Sequence, residues 1–203
     1  MLKRINFDLD GVVCDFVGSL EKRLPYFKRI ETESYSLVKQ FSPQHGLRDA
    51  IQNIISDAGF WANLEPYPGA IEAIGKLALW YRVRIITAPW RKTETNLERQ
   101  ASVYGKWAWL DKHLPGIDYH IDHRKSCYGA DFFIEDRPSN LSNWHGKIIV
   151  FDQPYNRKFK DGIRCKNWED ILSIFLNWKG YNYGKGYNSK ASMGASDIHG
   201  QGY

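Results

Sequence analysis

Cysteine is scarce in this chain, and long hydrophobic runs are missing. The 203 residues include three cysteines, which lie far apart at Cys14, Cys127 and Cys165. An odd number at irregular spacing argues against a disulfide framework and favours free thiols in a reducing compartment, so we expect a cytoplasmic protein. No stretch approaches the roughly 20 consecutive apolar residues of a membrane span, and Asp8 interrupts the first residues before the apolar core of a signal peptide can form. The sequence therefore predicts no membrane partner.

Neither sign of charge dominates strongly enough to identify a partner. The formal net charge is +5, and charged residues make up 25% of the chain. This excess leaves nucleic acid open as an anionic partner, but it is also ordinary for a solvated surface. With 43% hydrophobic residues, the composition is that of a folded protein of about one domain. A fully disordered chain is excluded.

The composition changes once, after Trp178. Residues 179–203 hold six of the 17 glycines and almost no aliphatic side chains. Such a segment buries too little apolar surface to offset its ordering entropy, so we predict a disordered tail. Its interleaved tyrosine, glycine and lysine residues would also suit stacking on single-stranded nucleic acid.

The rest of the chain alternates strand-like and helix-like segments, which is typical of an α/β fold. Strands are predicted at residues 3–8, 83–87, 131–134 and 148–152, with a weaker candidate at 119–121. Helices are predicted at 70–80, from a capping box of Thr95 and Glu98 towards Lys112, and after a capping Asn167. The last of these helices should bury residues 171, 174, 175 and 178.

Residues 17–66 interrupt this alternation. They are polar, contain Pro25 and Pro43, and show no convincing strand. We interpret them as a small helical cap inserted after the first strand. The expected division is a core of residues 1–16 and 67–178, a cap of residues 17–66, and a tail of residues 179–203.

The most specific motif, Asp8-Leu9-Asp10-Gly11-Val12, directly follows the first strand. Two carboxylates one residue apart, before a glycine that permits a tight turn, can place a nucleophile and a proton-transferring group at one strand end. Thr87 closes the second strand, where its hydroxyl and the amide of Ala88 could bind a phosphate oxygen.

Further candidate residues surround the third predicted strand. Lys125 lies in a polar turn before it, and the adjacent acids Glu135 and Asp136, which end it, are candidate metal ligands. Ligands of open α/β sheets bind at the carboxyl ends of the strands. Because Asp8, Asp10, Thr87 and Asp136 all fall at such ends, we predict a single site.

These residues resemble the four motifs of the haloacid dehalogenase superfamily of phosphotransferases. Several strings resemble its 5'(3')-deoxyribonucleotidases: Gly59-Phe60-Trp61, Leu64–Ala70, Ile86-Thr87-Ala88-Pro89, Trp109–Leu114 and Ile134–Pro138. The resemblance covers about residues 5–152, is loose in the cap and is absent from the tail. It departs at Glu135, Ala88 and His123, where the family usually has aspartate, serine and arginine. It implies a Rossmann-like core with a mostly parallel sheet and helices on both faces.

The resemblance also implies a chemistry, the Mg²⁺-dependent hydrolysis of (deoxy)nucleoside 5'-monophosphates. Asp8 would be the nucleophile that forms an aspartyl-phosphate, and Asp10 the general acid and base. Mg²⁺ would be held by Asp8, by the backbone carbonyl of Asp10 and by Asp136.

The resemblance assigns substrate contacts as well. Lys125 and Thr87 would act in catalysis and bind the phosphate, together with the amide of Ala88. Phe16 lies where the family places a ring against the nucleobase. Members of the family are often dimers, so a homodimer is one expected assembly.

There are three alternative functions, of which the last is disfavoured. The substrate could be another small phosphate ester, such as a sugar phosphate, because only the cap chemistry would differ. The positive charge and the tail would suit a phosphatase for nucleic-acid ends. A nucleic-acid-binding protein on an inactive phosphatase fold is disfavoured, since every residue type needed for turnover is present.

Overall fold

The computed structural model describes residues 2–90, 96–141 and 144–176. Three expectations lie outside these ranges: the capping role of Thr95, the burial of Trp178 and the tail of residues 179–203. None of the helices within the described ranges is long and apolar enough to cross a lipid bilayer.

The centre of the fold is a sheet of six parallel strands. The strands are β1 (Arg4–Phe7), β2 (Arg82–Thr87), β3 (Asp118–Ile121), β4 (Phe132–Glu135), β5 (Lys147–Phe151) and β6 (Ile163–Cys165). Their order across the sheet is β3-β2-β1-β4-β5-β6, and every described pair is parallel. The predicted α/β class and the five predicted strands are confirmed. Strand β6 was not predicted, because its three residues follow a polar stretch that reads as a loop.

Within the part of the chain that the structure describes, six α-helices accompany the sheet. They are α1 (Phe16–Arg23), α2 (Leu47–Ile55), α3 (Ala58–Ala62), α4 (Ala70–Ala78), α5 (Leu97–His113) and α6, which covers residues 168–176. Helix α4 ends two residues earlier than expected, because Leu79 and Trp80 are exposed and turn the chain into β2. The amide of Asp170 donates to Oδ1 of Asn167 over 2.8 Å, which confirms the predicted cap of α6.

Residues 17–66, all of them described, contain helices α2 and α3 and most of α1, and no strand of the sheet. Their division from the core as a separate cap stays a prediction. Helix α3 packs directly on α5 at Gly105, where a Cβ atom would lie 2.3 Å from Cβ of Trp61. The indole of Trp109 in α5 also donates to the carbonyl of Leu64 over 2.8 Å. Residues 17–66 are therefore fixed against α5 at these two contacts.

The carboxyl end of β1 and the loop after it are held by contacts with α6. Trp168 at the start of α6 stacks on Phe7 with a ring-centroid distance of 5.3 Å. Its indole donates to the carbonyl of Val12 over 3.0 Å. All three side chains are buried in the main hydrophobic core. Because β1 is in the middle of the sheet, this packing holds its carboxyl end, and the loop that follows, in one position.

Candidate active site

Asp8 lies at the carboxyl end of β1, buried between strands. Its amide donates to the carbonyl of Ile134 over 2.9 Å, which continues the pairing of β1 with β4. Its Oδ1 accepts from the amide of Leu9 over 2.7 Å. The amides of Val13 and Cys14 then return to the carbonyl of Leu9 over 2.9 and 2.8 Å. This tight turn leaves Oδ2 of Asp8 for other partners.

Lys125 occupies the middle of a carboxylate cluster. Its Nζ lies 2.5 Å from Oδ2 of Asp8 and 2.8 Å from Oε2 of Glu135, and the lysine side chain is 2% exposed. Burial alone would lower the pKa of Lys125, but the carboxylates of Asp8 and Glu135 outweigh it and raise that pKa above its usual value. The two carboxylates therefore favour the charged form of the lysine at this edge of the sheet.

Asp136 adds a third buried carboxylate to this cluster. One oxygen each of Asp8, Glu135 and Asp136 lies within 4.8 Å of the other two. Burial, followed by the charge of Asp8, raises the pKa of Asp136 to about 6 and also raises the pKa of Glu135. A set of closely spaced oxygen donors with excess negative charge fits a hard divalent cation such as Mg²⁺. Within the described ranges, these residues form the one cluster of potential metal ligands.

Asp136 is held in place by residues that the sequence motifs did not indicate. Tyr155 donates its hydroxyl to Oδ2 of Asp136 in a short hydrogen bond. The side-chain amide of Asn156 donates to the carbonyl of Asp136 over 2.7 Å. Gly11, at φ 79°, makes room for this arrangement, since a Cβ there would lie 2.5 Å from Oδ2 of Asp136.

Asp10 is directed away from the carboxylate cluster towards a second buried lysine, Lys106 in α5. Nζ of Lys106 lies 2.5 Å from Oδ2 of Asp10 and also donates to Oγ1 of Thr87 over 3.0 Å and to the carbonyl of Ala88 over 2.6 Å. Burial raises the pKa of Asp10, and the charge of Lys106 opposes that rise. The expected metal contact of Asp10 is through its backbone carbonyl and stays a prediction.

Lys106 was missed from the sequence, although a signal for it exists. Helix α5 buries Ser102, Gly105 and Trp109, which lie on one helical face. Lys106 follows at the spacing of that same face, and a lysine there must find buried acceptors.

The structure brings the sequence-predicted residues together in two linked groups. The first contains Asp8, Lys125 and Asp136, and the second contains Asp10, Thr87 and Ala88 around Lys106. Both groups lie at the carboxyl edge of the sheet, where the ligands of open α/β sheets bind. The roles of these residues in binding and catalysis stay predictions.

Phe16 begins α1 inside an aromatic cluster. Its ring is stacked on Trp61 with a centroid distance of 5.2 Å, and Phe60 and Trp90 lie at 5.8 and 6.1 Å. Phe16 is 7% exposed. Trp90 was not singled out from the sequence, because it follows the second strand as an isolated aromatic residue. A contact between Phe16 and a nucleobase stays a prediction.

Known proteins are similar to this chain in sequence and in fold. Residues 2–180 match the family described as 5' nucleotidase, deoxy (pyrimidine), cytosolic type C protein. Relatives from Bordetella pertussis and Staphylococcus epidermidis carry the name "Putative 5'(3')-deoxyribonucleotidase". The first is 31% identical over 185 residues, covering 83% of this chain and 95% of the relative. The second is 27% identical over 180 residues, covering 85% and 96%.

A solved structure of a haloacid dehalogenase-like family hydrolase from Streptococcus pneumoniae has a similar fold. Its TM-score is 0.53 at 13% identity, and the match covers 86% of this chain and 98% of that one. This likeness concerns the fold alone and confirms the predicted Rossmann-like architecture. Because the family match spans residues 2–180 and one relative exceeds 30% identity over most of the chain, the protein belongs to the cytosolic type C 5'-nucleotidase family and is a phosphoric monoester hydrolase.

Proposed function

We propose that this protein is a Mg²⁺-dependent phosphatase that hydrolyses (deoxy)nucleoside 5'-monophosphates through an aspartyl-phosphate intermediate. The observation that carries the proposal is the position of Asp8, buried at the end of β1 beside Lys125 and Asp136. A carboxylate in that position can attack phosphorus while fixed positive charge stabilises the transferring group. The family match and the names of the relatives support the nucleotide as substrate.

Two proton-balanced steps follow from this arrangement. In the first, Asp8 attacks phosphorus, the bond from phosphorus to the 5'-oxygen breaks, and Asp10 gives its proton to the departing oxygen. In the second, Asp10 takes a proton from water, the water oxygen attacks phosphorus, and phosphate leaves as the Asp8 carboxylate is regenerated. Asp10 thus ends each cycle in the protonation state in which it began.

The residues that would hold Mg²⁺ are Asp8, Asp136 and the backbone carbonyl of Asp10. When bound, the ion supplies positive charge that offsets the repulsion between a carboxylate nucleophile and a phosphate dianion. Glu135 contacts Lys125 and also accepts from the amide of Arg137 over 3.1 Å. We therefore assign Glu135 the orientation of Lys125.

Substrate binding would use both lysine-linked groups. Lys125 supplies charge for the phosphate, while the hydroxyl of Thr87 and the amide of Ala88 supply donors. Phe16 would contact the nucleobase. A cytoplasmic location fits the three free cysteines, of which Cys14 and Cys165 are buried.

Phosphate release from a substrate panel tests this function. The panel contains dUMP, dTMP, their ribonucleotide counterparts, a 5'-phosphorylated oligonucleotide and several sugar phosphates, each with Mg²⁺ and with chelator. We expect Mg²⁺-dependent release from the free nucleotides. Release from sugar phosphates alone would contradict the nucleotide substrate, and faster release from the oligonucleotide would favour a phosphatase for nucleic-acid ends.

The turn at Gly11 provides an independent test of the metal site. In Gly11→Ala, a methyl group would displace Asp136, so we expect Mg²⁺ affinity to fall by about 10- to 100-fold. Left-handed backbone strain should also lower the free energy of unfolding by about 1–2 kcal/mol. Titration calorimetry of the metal-free protein and urea unfolding measure the two effects.

Gly46→Ala is the matched control for this substitution. Gly46 has the same left-handed conformation, at φ 80°, but a Cβ there would have no neighbour within 4 Å. It should lose similar stability and keep its Mg²⁺ affinity. Equal affinities for Mg²⁺ in both variants would argue against Asp136 as a ligand.

A further inference from the structure

Lys106 is a buried cation that the proposed mechanism does not use. Its side chain is 1% exposed, and its Nζ lies within 3.0 Å of Asp10 Oδ2, Thr87 Oγ1 and the Ala88 carbonyl. A lysine ammonium has three protons. Three acceptors at hydrogen-bonding distance take all of them, so Lys106 has no proton left for a phosphate group. Any effect on the reaction must pass through these neighbours.

The contact with Thr87 sets the direction of its hydroxyl. Oγ1 accepts from Lys106, and the lysine cannot accept in return. The hydroxyl proton of Thr87 must therefore go to another acceptor. At the carboxyl end of β2, a phosphate oxygen of the substrate is an acceptor of suitable charge.

The contact with Asp10 distinguishes its two oxygens. Oδ2 is held by Lys106, whereas Oδ1 is buried and has no hydrogen-bond partner among the described residues. A buried oxygen without a partner is costly unless a ligand completes it. Oδ1 is thus the oxygen of Asp10 that remains for the leaving group of the substrate.

We propose that Lys106 is a positioning residue that holds Asp10 Oδ2 and Thr87 Oγ1, so that Asp10 Oδ1 faces the leaving oxygen and the Thr87 hydroxyl faces the phosphoryl group. The proposal rests on the function proposed above. It makes one lysine responsible for the orientation of both the acid and a phosphate donor.

The packing around Lys106 keeps its ammonium group in place. The ring of Trp61 in α3 lies 5.1 Å from Nζ, in the geometry of a cation–π contact. The neighbouring Gly105 permits this approach, because a side chain there would collide with α3. Helix α3 thereby covers the lysine and excludes water from its three hydrogen bonds.

A comparison of two leaving groups tests the proposal. Lys106→Met removes the ammonium and preserves the length of the side chain. In single turnovers with excess enzyme, release of deoxyuridine from dUMP requires protonation, so we expect its rate to fall by about 100-fold or more. Release of nitrophenolate from p-nitrophenyl phosphate requires no proton, so its rate should fall by less than about tenfold. Equal losses on the two substrates would overturn the proposal.

A double-substitution cycle with Asp10→Asn supplies the second readout. If Lys106 acts on the leaving group through Asp10, adding Lys106→Met to Asp10→Asn should lower the dUMP rate by less than about tenfold, which is the loss expected through Thr87 alone. Multiplicative losses would overturn the proposal. The control is Lys112→Met, an exposed lysine of the same helix, which should keep the wild-type rates on both substrates.

Two outcomes need separate treatment. Urea unfolding would show whether Lys106→Met folds. If it does not, Lys106→Gln keeps a neutral donor and should again lose more activity on dUMP than on p-nitrophenyl phosphate, by a smaller ratio. If the wild-type protein releases nitrophenolate but no deoxyuridine, the nucleotide function is wrong. The same comparison then uses the best alkyl phosphate of the panel, and equal losses still overturn the role of Lys106.

Discussion

Asp8→Asn should abolish phosphate release, with kcat lowered by about 10⁴-fold or more, because the nucleophile itself is removed. The fold should survive, since asparagine keeps the oxygen that accepts from the amide of Leu9. The charge of Asp8 also raises the pKa values of Glu135 and Asp136. Removing that charge relieves repulsion among the buried carboxylates. We therefore expect unfolding at an unchanged or higher urea concentration.

The combination of lost activity and retained stability distinguishes a functional carboxylate from a structural one. Phosphate release and urea unfolding of the same preparation measure both. Asp111→Asn, at an exposed position of α5, is the control and should change neither quantity. Unfolding of the Asp8→Asn variant at a lower urea concentration than the wild type, or activity of this variant on dUMP, would contradict the role of Asp8 as nucleophile.

Lys125→Met should have the largest effect on stability. It leaves three buried carboxylates without the cation that contacts two of them. Removal of one partner from a buried ion pair costs about 3–5 kcal/mol. The deficit should shrink as the pH is lowered, because protonation of the carboxylates then removes the uncompensated charge. Urea unfolding of the metal-free protein at several pH values measures this dependence.

Lys158→Met is the corresponding surface control. Nζ of Lys158 lies 2.5 Å from Oε2 of Glu33, but the two side chains are 80% and 61% exposed. Exposed pairs of this kind contribute about 0–1 kcal/mol. Similar losses for the two lysine variants, or a loss for Lys125→Met that does not depend on pH, would show that the carboxylate cluster does not need its central cation.

Much of the site could be predicted because parallel strands bring their carboxyl ends to one edge. Asp8, Thr87 and Asp136 each follow from the end of a hydrophobic strand, and such strands are visible in the sequence as short β-branched and aromatic runs. Lys125 required the resemblance to a family as well, since a lysine in a polar turn is otherwise ordinary. Local pattern and long-range pairing agree at these positions.

The partners of the supporting residues could not be predicted because they are distant in the chain. Lys106 is 96 residues from Asp10, and Tyr155 is 19 residues from Asp136. Neither Lys106 nor Tyr155 belongs to a strand end. The buried face of α5 marks Lys106 as a lysine that needs acceptors, but the tertiary packing decides which acceptors each residue contacts. The orientation of catalytic groups is thus a property of the assembled fold.

The central position of β1 has a consequence for synthesis of the protein. β1 leaves the ribosome before the other strands of this sheet, yet one of its two neighbours, β4, begins only at Phe132. At translation rates of about 5–20 residues per second, the edge of β1 that pairs with β4 stays unpaired for on the order of ten seconds. Asp8 and Asp136 meet only after that interval. A nascent chain therefore has to protect an apolar strand long before it can acquire activity.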